Sequence, residues 1–272
     1  MTALQITPVL REASGWIAPR LEYHGGKVLN KPLFYSLYLG TYWKTPKGQD
    51  ALKYNDQFTK DFMQSPQMGF WKEYNAGKGR FVGSKTISSS NLPKRIDEYK
   101  LMEVIEEQLR SGHVAKPNSQ TVYTVYLPPG SILVASDGTT SLDGLGGYHG
   151  SYDRADGTRV YYAAIAYGQG NNGIPFSADP RDNLSIVASH EWTEAVTDPD
   201  VNNGTLAWYD ERLGEVSDIP MNMGMQLDEV WGRINGYAVQ KEWSNKDQAV
   251  ELVPGEYKPA PASPSRNNLF VH

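Results

Sequence analysis

The chain has 272 residues, enough for one large domain or two modest ones with a sizeable buried core. Its formal net charge of −5 offers no basic field for nucleic acid, and no run of ~20 apolar residues predicts a membrane span. The absence of cysteine excludes disulfides, thiolate ligands and a Cys nucleophile, so any metal must be held by His, Asp or Glu, with only His24, His113, His149, His190 and His272 as imidazoles.

The first twelve residues lack the basic flank and apolar stretch of a signal peptide. With no Cys, this favours a cytoplasmic protein; a trimmed form of a secreted one is the alternative. After the loop signal His24-Gly25-Gly26, Leu33 to Trp43 is rich in aromatic and aliphatic residues and predicts a long strand. Asp50 can cap a helix to about Met63, with Leu52, Phe58 and Phe62 inward. Ser65-Pro66 opens a short helix burying Met68, Trp71 and Tyr74, and Arg80-Phe81-Val82 reads as a turn and short strand between glycines.

Asn91-Leu92-Pro93 introduces a helix over roughly 95–110, stopped by Gly112. Thr121 to Val134 predicts a strand pair or kinked strand, broken at Pro128-Pro129-Gly130, and a Gly-rich loop over 137–150 ends in Gly146-Gly147-Tyr148-His149-Gly150. Val160 to Tyr167 is almost wholly apolar and predicts a central strand, and a last strand is expected around Tyr237–Trp243. No internal repeat or linker interrupts 1–253. The expected fold is a single α+β (or α/β) domain, a central mixed sheet packed against helices, with a loosely attached Pro-rich tail over 254–272.

The stretch 182–199 carries the chemistry. It reads as a helix capped by Asp182 or Asn183 and ended before Pro199. Leu184, Ile186, Val187, Ala188, Trp192, Ala195 and Val196 spread round most of its circumference, the mark of a buried helix. Between Leu184 and Thr197 its only ionisable residues are His190, Glu191 and Glu194. Burying them is costly unless they are paired or bound to metal. His190 and Glu194 share one face a turn apart, with Glu191 about 100° round the helix. This is the His-Glu-x-x-His zincin arrangement with Glu as the second ligand. The simpler alternative is a buried His–Glu pair tying the helix to its neighbours.

A zincin-type site needs three protein ligands and an open position. Glu215 and Asp218 lie 25 and 28 residues beyond His190, after a Gly-containing loop that can fold back. Glu215 is the first choice for third ligand. Asp218 is the reserve, or a carboxylate orienting His190. In a further alternative His149 is itself a ligand and Glu215 stands behind it.

The block Ala188-Ser189-His190-Glu191-Trp192-Thr193-Glu194-Ala195-Val196-Thr197-Asp198-Pro199, then Trp208-Tyr209-Asp210 and Gly214-Glu215-Val216-Ser217-Asp218-Ile219, resembles the phosphate-induced/EXORDIUM-like proteins and their microbial relatives. The likeness extends more loosely to Gly147-Tyr148-His149-Gly150, to Tyr123–Gly130 and to Gln240–Asn245, spanning about residues 30–250. Cysteines usual in such relatives are replaced here, with Leu142, Pro220 and Val250 in their neighbourhoods. The resemblance implies a zincin-like domain with a metal site more than it implies a substrate.

These readings lead to the expectation of a zinc-dependent hydrolase acting on a peptide or amide bond, with Mn²⁺ or Fe²⁺ also suited to a carboxylate-rich ligand set. Zn²⁺ would sit on His190, Glu194 and Glu215, Glu191 would act as general base, and Tyr148, His149 and Tyr209 would stabilise an oxyanion or donate a proton. Two alternatives stand beside it. One is a metal-stabilised binding protein for a glycan or protein partner; the other is a lyase or redox metalloenzyme on the same scaffold.

Overall fold

The computed structural model describes residues 18–89 and 92–256, so Asn91 and the tail from 257 onward lie outside the described residues. Strand β1 (Glu22–Tyr23) is followed by β2 (Leu33–Leu39), which alternates Phe34 and Tyr38 toward one core and Leu37 and Leu39 toward another. The predicted strand stops short of Trp43, because Gly40, at φ 98°, turns the chain into a 3-10 turn over Thr41–Lys44.

Helix α1 (Pro46–Phe62) starts earlier than Asp50: the Thr45 hydroxyl accepts from Gly48 N at 3.1 Å, and Pro46 fits the first turn, where its missing N–H costs nothing. Helix α2 (Met68–Glu73) follows, and strand β3 (Arg80–Ile87) is eight residues long, well beyond the short strand expected. Strand β4 (Arg95–Ile96) takes the start of the predicted helix. Helix α3 (Glu98–Arg110) begins only after Asp97, whose carboxylate accepts from Lys100 N at 2.9 Å.

Strands β5 (Thr121–Tyr126) and β6 (Ile132–Leu133) resolve the 121–134 segment into two, β6 pairing with β4. Strand β7 (Gly147–Asp153) corrects the loop reading of Tyr148-His149-Gly150: these residues are extended and pair with β8 (Arg159–Ile165), His149 opposite Ala163. Their glycines serve close packing. A Cβ on Gly147 would lie 2.7 Å from both Ala164 O and Glu191 Oε1.

The main sheet has the order β3-β2-β5-β8-β7, parallel except for the antiparallel edge strand β7. Helix α3 packs on one face with Leu101, Val104 and Ile105, while α1 and α4 (Pro180–Thr197) pack on the other. Strands covered on both faces must be apolar throughout, which explains the near-continuous apolar run of β8. The architecture is α+β, a mixed five-stranded sheet packed against helices. No helix among the described residues is long and apolar enough to cross a membrane.

Helix α4 begins two to three residues before the expected caps. Asp179 caps it, accepting from Arg181 N at 2.9 Å, with Pro180 in the first turn. Asp182 and Asn183 are drawn away instead: Asp182 pairs with Arg233 at 2.6 Å and Asn183 Oδ1 accepts from Ser177 N at 2.8 Å. From Asp182 to Thr197 every residue is buried, as the all-round apolar pattern predicts. Trp192 stacks on Phe58 at 5.5 Å, meets Phe34 and Phe62, and donates its indole N–H to Thr124 Oγ1 at 2.8 Å. Removing a buried aromatic of this kind costs about 3–5 kcal/mol. Trp71 of α2 donates to Thr193 Oγ1 at 3.1 Å on the same helix. Between them these contacts hold α4 against both rotation and sliding.

After α4 come β9 (Trp208–Tyr209), paired with β1, and the short helix α5 (Ile219–Asn222). Strands β10 (Trp231–Ile234) and β11 (Tyr237–Gln240) form a hairpin across Asn235-Gly236, both at positive φ as a two-residue turn of this kind requires. The predicted last strand is divided at Lys241 into β11 and β12 (Glu242–Ser244), and β13 (Ala249–Glu251) pairs with β12.

Candidate metal centre

Three elements bring ionisable side chains to one buried point. Helix α4 contributes His190, Glu191 and Glu194. The edge strand β7 contributes His149, which faces α4 while its neighbour Tyr148 points into the core on the other side. The segment before α5 contributes Glu215 and Asp218. It is brought back by a tight turn in which Asp210 and Gly214 exchange backbone hydrogen bonds of 2.9 and 2.8 Å, with Gly214 at φ 86°. The backbone carbonyls of His190 and Ser217 then accept from Ser217 Oγ and the Gln240 amide, fixing that segment on α4 and β11.

His190 Nε2 lies 3.2 Å from Glu194 Oε1 and 3.7 Å from Asp218 Oδ1. His149 Nδ1 lies 3.5 Å from Glu191 Oε2 and 3.6 Å from Glu194 Oε2, and its Nε2 lies 3.4 Å from Glu215 Oε1. The side chains of His149, His190, Glu191, Glu194 and Glu215 are 0% exposed and that of Asp218 is 8% exposed. His149 Nε2 also donates to the Asp198 carbonyl at 3.2 Å, which leaves the Nδ1 lone pair directed at carboxylates.

Burial shifts four of these groups. It lowers His149 to about 4, so the imidazole stays neutral, and it raises Glu191 to about 8, with Glu194 and Asp218 also raised. Both nitrogens of His190, Nδ1 of His149 and both oxygens of Glu191 and Glu194 have no hydrogen-bond partner. Among the described residues every ion pair at the cluster joins a histidine to a carboxylate, and no Lys or Arg takes part. Buried lone pairs of imidazole and carboxylate, converging without a cation, are the donor set a divalent ion requires.

Two groups have ligand atoms all within 4.8 Å of one another: His190, Glu194 and Asp218, and His149, Glu194 and Glu215. The expected set of His190, Glu194 and Glu215 is therefore divided. Asp218, the reserve, joins His190, while Glu215 joins His149. Tyr209 is half-buried beside the cluster, its phenol pushed up to about 12 by burial and then by the charges of Glu215, Asp218, Glu194 and Asp198. Tyr148 is not brought there; its ring lies 6.3 Å from that of Tyr162, on the far face of β7.

Two acidic residues at the centre are additions to the sequence reading. Glu242 of β12 is fully buried and raised to about 7 by its burial, with His190 opposing the shift. Asp198 is raised to about 7, again by burial first, and its Oδ1 accepts from Ala207 N at 2.8 Å. Only the odd placement of Glu242 beside an apolar strand could have signalled it. Comparison of the chain with protein-family models and with curated proteins finds no match.

Proposed function

We propose that this chain is a metal-dependent hydrolase acting on a peptide or amide carbonyl, with His190, Glu194 and Asp218 holding the ion. The observation that carries the reading is the convergence of two imidazoles and several carboxylates, all buried, with unpartnered lone pairs on His190, His149, Glu191 and Glu194 and, among the described residues, no Lys or Arg paired with them. Zinc suits a mixed nitrogen and oxygen set, and Mn²⁺ or Fe²⁺ suits its carboxylates. Such an ion, when bound, supplies Lewis-acid polarisation of a carbonyl and makes water more acidic.

The protein's own groups divide the remaining work. Glu191 is one residue from His190 yet belongs to neither ligand group, and its raised pKa of about 8 matches a base that takes and returns a proton near neutrality. Tyr209 keeps its proton at neutral pH and can donate a hydrogen bond to a developing negative charge. The motif likeness to phosphate-induced/EXORDIUM-like proteins accords with a metal site over 188–218.

Burial supports a second reading, a binding protein whose ion only stabilises the fold, because Glu191 has no exposed surface for a substrate to reach. One experiment separates them: metal analysis of protein purified without chelator, followed by a peptide-library cleavage assay with and without chelator. The hydrolase reading expects stoichiometric metal and chelator-sensitive cleavage. Metal without cleavage supports the stabilising role, and absence of metal overturns both.

A further inference from the structure

Glu194 presents its two oxygens to two different histidines. Oε1 lies 3.2 Å from His190 Nε2, and Oε2 lies 3.6 Å from His149 Nδ1. A carboxylate can bind one ion through a single oxygen, which leaves the second oxygen free to bind another, and here each faces a different imidazole nitrogen. This one stands between two donor groups, each with a histidine at one end and its own second carboxylate at the other: Asp218 beside His190, Glu215 beside His149.

We infer that the cluster binds two divalent cations, one on His190, Glu194 and Asp218 and a second on His149, Glu194 and Glu215, with Glu194 as the bridging carboxylate. The inference rests on the reading of the cluster as a metal centre and extends it to a dinuclear one. Charge supports it. Four carboxylates, Glu191, Glu194, Glu215 and Asp218, face two histidines in a fully buried space, with Glu242 and Asp198 adjoining. Metal binding deprotonates its carboxylate ligands, and Glu194, Glu215 and Asp218 then carry three negative charges, more than one divalent ion neutralises. His149 Nε2 is committed to the Asp198 carbonyl, so Nδ1 is the free donor; it faces Glu194 Oε2 at 3.6 Å and Glu191 Oε2 at 3.5 Å, while Glu215 Oε1, 3.4 Å from Nε2, must turn toward the Nδ1 side to share an ion with it. A backbone acceptor that orients the opposite ring nitrogen is the usual support of a metal-bound histidine. A pair of cations, when bound, would supply Lewis-acid stabilisation to both an attacking water and a substrate carbonyl oxygen.

The test is the stoichiometry of the full chain, stripped of metal and then titrated with Zn²⁺ by calorimetry, with metal content confirmed by elemental analysis. Two equivalents are expected. Glu215→Gln, nearly isosteric, should reduce them to one, as should Asp218→Asn, while Glu194→Gln should weaken both by at least tenfold. Loading with two equivalents of Mn²⁺ should give an exchange-coupled paramagnetic resonance signal in place of the six lines of isolated ions. One equivalent in the unaltered chain, insensitive to Glu215→Gln, overturns the second site and leaves the single-ion reading standing. Two equivalents with uncoupled Mn²⁺ place the second ion elsewhere and also overturn it. No bound metal overturns the single-ion reading as well. Because the unaltered protein gives the decisive count and the resonance signal, a variant that fails to fold does not shelter the inference.

Discussion

Glu191 Oε2 lies 3.5 Å from His149 Nδ1 across the gap between α4 and β7, and neither side chain has any exposed surface. The pair joins α4 to the edge strand, and on the proposed hydrolase reading it makes Glu191 the residue whose removal is most informative. Glu191→Gln keeps the shape and removes the base. The expected result is a loss of turnover of about 10²- to 10⁴-fold with metal content unchanged. The melting temperature should not fall, because an amide replaces a carboxyl that burial disfavours when charged. Equal turnover in the variant and the parent takes Glu191 out of the base role.

Chelation should cost stability whether or not the site is catalytic. An ion present at 100 times its dissociation constant contributes about 2.7 kcal/mol to a fold that binds it only when folded. For a chain of this size that corresponds to a melting shift of roughly 5–10 °C. Differential scanning calorimetry before and after metal removal checks it. An unchanged melting temperature in protein shown to have lost its metal means that α4, β7 and the 215–218 segment hold together without an ion.

The metal-free chain should lose stability as pH rises from about 6.5 to about 8. Burial raises Glu191 to about 8 and Asp198 and Glu242 to about 7, so the folded state holds protons that the unfolded state has already released. Where the folded state binds more protons, stability falls with pH. His149 acts in the opposite sense, since its folded value of about 4 lies under the ordinary 6.5, but its contribution is lost only below 6.5. The window above 6.5 therefore isolates the carboxyls. Saturating metal should flatten or reverse the trend, because an ion binds the deprotonated ligands. A metal-free melting temperature that is flat or rising between pH 6.5 and 8 contradicts this account.

Much of this centre was legible in one helix. His190, Glu191 and Glu194 are the only ionisable residues in an otherwise apolar stretch, and helical geometry alone puts His190 and Glu194 on one face. His149 is legible as a candidate, including as an alternative ligand, but its direction is not, because Gly146-Gly147-Tyr148-His149-Gly150 reads as a turn. Only the antiparallel register with β8 sends His149 toward α4 and Tyr148 away from it. The partition of Glu215 and Asp218 between the two histidines was also beyond spacing, since it depends on the Asp210–Gly214 turn and on where α5 begins. Glu242 escaped because the interruption at Lys241 ends β11 and starts β12, removing the alternation from which its direction could be read. The Asn235-Gly236 hairpin, by contrast, carries a strong local signal, an Asn-Gly pair at the turn between two strands.

The contact between β7 and α4 yields the last prediction. Gly147 has no side chain where a Cβ would stand 2.7 Å from Ala164 O, 2.7 Å from Glu191 Oε1 and 2.9 Å from Val187 Cγ1. Two of these neighbours belong to the packed frame. Ala164 O is backbone of the adjoining strand, and Val187 is buried in α4. Gly147→Ala must therefore push β7 away from α4 or displace Glu191, at a cost of about 1–3 kcal/mol for overpacking. A displaced β7 carries His149 with it, so the variant should lose the second of the two proposed ions before the first. Turnover should fall by more than the loss of stability explains, since Glu191 is moved directly. Thermal denaturation, metal titration and the peptide-cleavage assay on one preparation separate these effects. Unchanged values in all three would show that the strand and helix have slack at this crossing, and that the position of Glu191 is set from α4 alone.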